Sequence, residues 1–112
     1  MKSAIVTGAG GFLGRALVSE LTKNKIKVLA VSRKHMYFND AAKNVILDLS
    51  ELDKLTNMTD SSWDTFYHLA WEGTSGKDRS NVKMQLKNVY YTVQAVKVAK
   101  ALGCSRFVCA GS

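Results

Sequence analysis

Thr7-Gly8-Ala9-Gly10-Gly11-Phe12-Leu13-Gly14 holds the residues with the most direct chemical reading in this sequence. Glycines in a turn let the backbone take positive φ and let another group approach it closely. The stretch follows the apolar run Ala4-Ile5-Val6 and opens an amphipathic run, Arg15 to Leu21. That order reads as strand, glycine turn, helix. A helix starting there presents unpaired N–H groups and the positive end of its dipole. Together these make an anion site suited to the pyrophosphate of a dinucleotide. The competing reading is a turn that packs helix on strand and holds no ligand.

Spacing narrows the motif. The common fingerprint G-x-G-x-x-G, started at Gly8, requires glycine at position 13, where Leu13 stands. The register that fits is Gly8-x-x-Gly11-x-x-Gly14, preceded by Thr7, with Gly10 inside it. An acid about 20 residues beyond such glycines holds the ribose 2′-hydroxyl of NAD. No Asp or Glu occurs between Glu20 and Asp40, and Ser32-Arg33-Lys34 takes the place. A guanidinium can grip a 2′-phosphate in bidentate fashion, so Arg33 tilts the cofactor toward NADP over NAD. The alternative is a solvated loop arginine. Asp48, at the end of another apolar run, can accept a hydrogen bond from an adenine amino group. Equally, its carboxylate can favour the N-terminus of the helix after it. Neither the two cysteines, Cys104 and Cys109, nor the two histidines, His35 and His68, show metal-ligand spacing, so no metal is expected.

The elements that must position these residues follow from periodicity. Lys2–Thr7 reads as a strand, and Gly11–Lys23 as a helix with Phe12, Leu13, Ala16, Leu17 and Leu21 apolar and Asn24 as its stop. Ile26–Ser32 is a second strand, 36–43 a short helix or loop, and Asn44–Asp48 a third strand. Ser50 reads as a helix N-cap, with Leu52 and Leu55 on the apolar side. Trp63–Ala70 is strand four. The polar connection from Trp71 to Asn81, with Gly73 and Gly76, is expected to be the mobile element at the site. The long helix Val82–Leu102 carries two stripes, Val82-Leu86-Val89-Val93-Val96 and Met84-Tyr91-Ala95-Val98-Leu102. A helix lying on a sheet needs one, so the second implies a further covering element or a partner. Gly103 is a C′ cap, and 106–111 is strand five. The expected fold is α/β: a Rossmann-like doubly wound parallel sheet ordered 3-2-1-4-5 with right-handed crossovers.

At 112 residues and 46% hydrophobic, the sequence fits one globular domain spanning 1–112. It has no apolar stretch near the length of a membrane helix and no signal-peptide pattern, so a cytoplasmic location is expected. Cys109 reads as a buried small hydrophobe. The net charge of +7 is spread over the outer faces and ends of helices. No nucleic-acid module accompanies it, so nucleic acid is not an expected partner.

With these motifs in order, the chain resembles the N-terminal part of the extended short-chain dehydrogenase/reductases, the NAD(P)-dependent epimerase/dehydratase group. Thr7-Gly8-x-x-Gly11-x-x-Gly14 with Phe12-Leu13 matches its nucleotide motif, and Asp48-Leu49 its adenine-contacting pair. His68-Leu69-Ala70 matches an H-L-A-A signature in which Trp71 replaces the last alanine, and Asn88-Val89 matches the long helix. The run 107–112 resembles the strand that delivers a catalytic Ser or Thr, here Ser112. The resemblance implies cofactor contacts at Thr7, Gly8, Gly10, Gly11, Phe12, Leu13, Gly14, Arg33, Asp48, Leu49, Leu69, Ala70 and Asn88. His68 becomes a structural part of the cofactor floor.

The resemblance further implies hydride transfer to and from a sugar carbon in a nucleotide-linked sugar, with a tyrosine as base. A lysine four residues later lowers the pKa of that tyrosine. None of Tyr37, Tyr67, Tyr90 and Tyr91 has lysine at that offset. The expectation is therefore a fold truncated before its remaining strands and substrate domain, which binds cofactor without catalysis. A sensing or scaffold module on the same fold is the alternative. An uncovered stripe, the one from Met84 to Leu102, and an edge at strand five imply a homodimer or higher oligomer.

Overall fold

The computed structural model describes residues 1–60, 62–72 and 80–110. Five strands, β1 (Ser3–Thr7), β2 (Lys27–Ser32), β3 (Ala42–Ile46), β4 (Thr65–His68) and β5 (Arg106–Cys109), form one sheet. All four pairings are parallel and the order is β3-β2-β1-β4-β5. β1 sits at the centre and is buried along its whole length, which is why its apolar run does not alternate.

Among the described residues, two helices and a 3₁₀ helix cover the faces. Chain order reverses direction across the sheet between β1 and β4, so crossovers of one hand place their helices on opposite faces. Helix α1 (Phe12–Lys23) packs Val18 and Leu21 on Ala4, Val6, Val28 and Ala30. Helix α2 (Val82–Ala101) and the 3₁₀ helix Leu49–Asn57 cover the other face, where Leu52, Leu55, Ala95, Val98 and Leu102 meet Ile5, Leu29 and Phe66. Gly103, with φ of 78°, ends α2 as a C′ residue.

Several expectations are corrected. The apolar side of α1 is not the one read from Phe12, Leu13 and Ala16: Phe12 is 95% exposed and Leu13 56%. Gly14 lets α1 approach the turn so closely that the face Gly14-Val18-Leu21 turns inward instead. On α2 the covered face is the Met84–Leu102 one, and the stripe left open is Val82-Leu86-Val89-Val93-Val96. β3 begins two residues earlier than expected because Ala42 pairs with Val28. Of the two readings for 36–43, helix or loop, residues 33–41 take the loop and Ala42 and Lys43 join β3. The 3₁₀ helix is capped by Asp48, whose carboxylate reaches the Ser50 N–H, so Ser50 is not the N-cap. Cys109 is exposed because β5 is a half-covered edge strand. The expected mobile segment lies, at 73–79, outside the described residues.

Candidate functional site

β1 carries Thr7 to the carboxyl edge of the sheet, and the chain turns there at Gly8. Gly8 has φ of 69°. A Cβ on it would lie 2.7 Å from the Ala70 nitrogen and 2.8 Å from the Leu69 carbonyl carbon. A Cβ on Gly14 would lie 2.0 Å from the Gly8 oxygen. These two glycines let β1, α1 and the end of β4 converge. Gly10 and Gly11 are different: added Cβ atoms would meet nothing nearer than 3.7 and 3.5 Å. They leave the backbone bare toward a cleft. Gly11 is the N-cap of α1 with no side-chain capping bond, and the first turn holds no acid. The Gly11 N–H is spent on the Gly8 carbonyl at 3.1 Å, and the first-turn N–H groups after it have no side-chain cap and no acid beside them, which suits a phosphate group.

The cleft, of about 410 Å³, opens where the strand order reverses, between the ends of β1 and β4. Thr7, Gly8, Gly10 and Gly11 form its turn wall, and Arg33, Lys34 and Met36 come from the loop after β2. Asp48 and Leu49 follow β3, and Leu69 to Glu72 follow β4. Asp48 Oδ2 accepts bonds from the Ser50 hydroxyl at 2.7 Å and the Ser50 N–H at 3.1 Å. Those bonds, with a smaller contribution from the Arg33 charge, hold its carboxyl below the usual range. Capping is thus its observed role, and it caps while lining the cleft.

Asn44 and Ser32 build the loop that carries Arg33; sequence reasoning gave Ser32 only as the neighbour of Arg33 and Asn44 only as a strand boundary. The Asn44 amide donates to the Ser32 hydroxyl at 2.9 Å and to the Ala30 carbonyl at 3.0 Å, and its oxygen accepts from the Met36 N–H. The Ser32 hydroxyl donates to the Lys34 carbonyl at 2.7 Å. An asparagine inside a strand at an edge was the available signal, since Asn is disfavoured there without local bonds.

Asn88 is buried and does not line the cleft. Its amide grips Glu72 at both ends, accepting from the N–H at 2.9 Å and donating to the carbonyl at 2.7 Å. Trp71 donates from its indole to Gln85 at 3.2 Å. So α2 holds the start of the segment after β4, and the Trp71 departure from the signature is accommodated by Gln85. Phe12 and Leu13 stand outside the cleft lining, and Ser112 lies outside the described residues. His68 is buried under the floor with its Nδ1 2.8 Å from the Thr7 hydroxyl. Burial lowers its pKa from the ordinary 6.5 to about 4. Among the described residues no group of acids, histidines and cysteines could hold a metal, and no helix is long and apolar enough to cross a membrane.

The model of the NAD dependent epimerase/dehydratase family matches residues 4–112. The chain belongs to that family. No curated protein matches the chain significantly. Among solved structures, MoeE5 in complex with UDP-glucuronic acid and NAD is 29% identical with a TM-score of 0.79. The match covers 98% of this chain and 36% of MoeE5. MoeE5 in complex with UDP-glucose and NAD is 27% identical over 98% of this chain and 36% of that one, with a TM-score of 0.77. The epimerase Mth375 from Methanothermobacter thermautotrophicus shares the fold at 22% identity and a TM-score of 0.79, covering 99% of this chain and 35% of its own. The family member described here therefore spans about a third of the length of these structures.

Proposed function

We propose that residues 1–112 form the dinucleotide-binding part of a nucleotide-sugar epimerase, dehydratase or reductase, with NADP favoured over NAD. The observation that carries the reading is the uncapped glycine turn at the reversal point, with Arg33 on the adjacent loop lining the same cleft. The donor set and the space bared at Gly10 and Gly11 fit a nicotinamide dinucleotide. The N–H groups of Gly10 and of the first turn of α1 take the pyrophosphate, while the Gly11 N–H closes the turn onto the Gly8 carbonyl at 3.1 Å, on a frame set by Thr7, Gly8 and Gly14. Asp48 accepts from the adenine amino group and Leu49 lies beside it. Arg33 pairs with the 2′-phosphate. Leu69 and Ala70 form the floor, while Phe12 and Leu13 flank the entrance. Asn88 acts on the cofactor indirectly, by fixing Glu72. When bound, the nicotinamide supplies a hydride acceptor and donor.

MoeE5, at 27–29% identity, is described with NAD and UDP-sugars, which supports a nicotinamide cofactor here and a nucleotide-linked sugar as substrate of the whole protein. Ser112 is placed, by its motif, to orient a sugar hydroxyl. No tyrosine in these residues has a lysine four positions on, so residues 1–112 bind cofactor without turnover. A cofactor-sensing module remains the alternative use of the same cleft. Two free thiols, Cys104 and Cys109, suit the reducing cytoplasm.

The test is calorimetric titration with NADP⁺ and NAD⁺. Arg33→Ala is expected to weaken NADP⁺ about tenfold or more, as loss of a charged hydrogen bond does, and to leave NAD⁺ unchanged. Binding of neither cofactor at millimolar concentration sinks the reading.

Self-association belongs to the same proposal, through the open stripe of α2. Val82, Leu86, Val89, Val93 and Val96 recur at alternating spacings of four and three, the seam of a two-helix packing, and all are exposed. A second copy supplies the matching stripe. Lysines 83, 87, 97 and 100 accompany it with no acid on α2, so pairing is strengthened by salt.

A further inference from the structure

His68 has one unspent polar atom. Its Nε2 is the buried side-chain nitrogen or oxygen without a hydrogen-bond partner among the described residues, and the residue is 1% exposed. The other ring nitrogen faces the Thr7 hydroxyl at 2.8 Å. That hydroxyl oxygen also accepts the Ala70 N–H at 3.3 Å. A hydroxyl has one proton to give. If Nδ1 carried the imidazole proton, the Thr7 oxygen would accept twice and its own O–H would point at nothing found there. With the proton on Nε2, Thr7 donates to Nδ1 and accepts from Ala70, and both of those groups are satisfied.

The ring environment agrees. His68 lies against the stacked pair Phe66 and Phe107, with ring centroids 6.5 and 6.2 Å away. An aromatic layer disfavours an imidazolium and tolerates a neutral ring. The cost of one stranded N–H in that layer is set against the order it imposes on Thr7 and Ala70. Ala70 is the residue whose nitrogen approaches the Gly8 position most closely.

We propose that His68 is a positioning residue, neutral and protonated on Nε2, that orients the Thr7 hydroxyl to hold the Ala70 N–H and so locks the floor of the cleft against the glycine turn. This deepens the cofactor-binding reading and rests on it only for the affinity measurement.

The experiment has three parts. Long-range ¹⁵N–¹H NMR on wild-type protein at pH 7 reads the tautomer directly; an Nδ1–H ring or an imidazolium overturns the proposal. Amide exchange at Ala70 reads the link. In His68→Asn the side-chain oxygen branches from Cγ where Nδ1 does, so it can accept from Thr7; His68→Gln places its polar atoms at the Nε2 level, and His68→Phe fills the aromatic layer with no acceptor. Asn is expected to keep Ala70 protection and NADP⁺ affinity near wild type. Phe and Gln are expected to lose about fivefold to tenfold in each, the loss of one hydrogen bond. Thr7→Val is expected to reproduce the Ala70 effect. Equal protection in the Phe and wild-type proteins overturns the link. Absence of cofactor binding in the wild type overturns the functional reading alone, and the tautomer and the Ala70 exchange still decide the role of His68.

Discussion

A methyl group at Gly14 would meet the Gly8 carbonyl oxygen at 2.0 Å, and one at Gly11 would meet the same atom at 3.5 Å. The two glycines of one motif therefore answer to different demands. Gly14→Ala forces α1 off the turn and is expected to cost at least about 1–3 kcal/mol, the range for overpacking a tight contact. Gly11→Ala is expected to move the urea midpoint far less, since its contact needs no shift and the loss of an N-cap glycine is set against the lower unfolded-state freedom of alanine at φ of −79°. Equal midpoints for the two variants would refute the distinction. His68 carries a second prediction. The unfolded chain protonates this histidine below its ordinary 6.5, while the folded protein holds it neutral down to about 4. Its contribution is therefore complete above pH 6.5, falls as pH drops, and levels off below about 4. The loss over that window is at most about 3 kcal/mol. Asp48 and Asp64, whose carboxyls are held low by hydrogen bonds, are lost further down as they protonate. Denaturation curves from pH 7 to 4 are expected to slope in the wild type and to flatten in His68→Phe.

At the scale of the element, α2 shows what periodicity can and cannot settle. Both stripes were legible, because each recurs at helical spacing. Which one faces the sheet was not, because the two are similarly apolar. The choice falls to Ala95, Ala99 and Asn88, small or amide-bearing residues that let the helix approach the sheet and reach Glu72. The same limit applies to α1, where the inward face is chosen by the absence of a side chain at Gly14 rather than by Phe12. The sheet order and all five strands were readable from runs and turns. Asn44 was not readable as a loop anchor, since its three partners come together only once β3 pairs with β2. For α2 the expected result is a clean contrast. Val93→Glu, on the open stripe, should leave the fold intact and weaken self-association by light scattering. Val98→Glu, 3% exposed in the core, should cost about 3 kcal/mol or more by burying an unpaired charge. Association of Val93→Glu equal to wild type would remove the proposed face.

Across the whole molecule, the cleft is made by no single element. Its walls are the turn after β1, the loop after β2, the cap after β3 and the segment after β4, all at one edge of the sheet. A ligand seated there ties together four chain segments that the protein otherwise holds by separate local bonds, such as Asn44 to the loop after β2 and Asn88 to the segment after β4. Binding to the folded state at about 100 times Kd stabilises by about 2.7 kcal/mol. For a domain of this size that is a rise of roughly 10 °C in Tm. NADP⁺ adds a phosphate that only Arg33 and Lys34, among the cleft-lining residues, can meet with positive charge. At equal concentration the rise is therefore expected to be larger with NADP⁺ than with NAD⁺. The gap should narrow as salt is raised, because the extra contact is electrostatic at an exposed site. It should shrink in Arg33→Ala and close when Lys34 is neutralised as well. Amide protection should increase together at Gly11, Arg33, Leu49 and Ala70, one residue from each wall. Protection confined to the glycine turn would mean that the cleft holds an anion and not a dinucleotide.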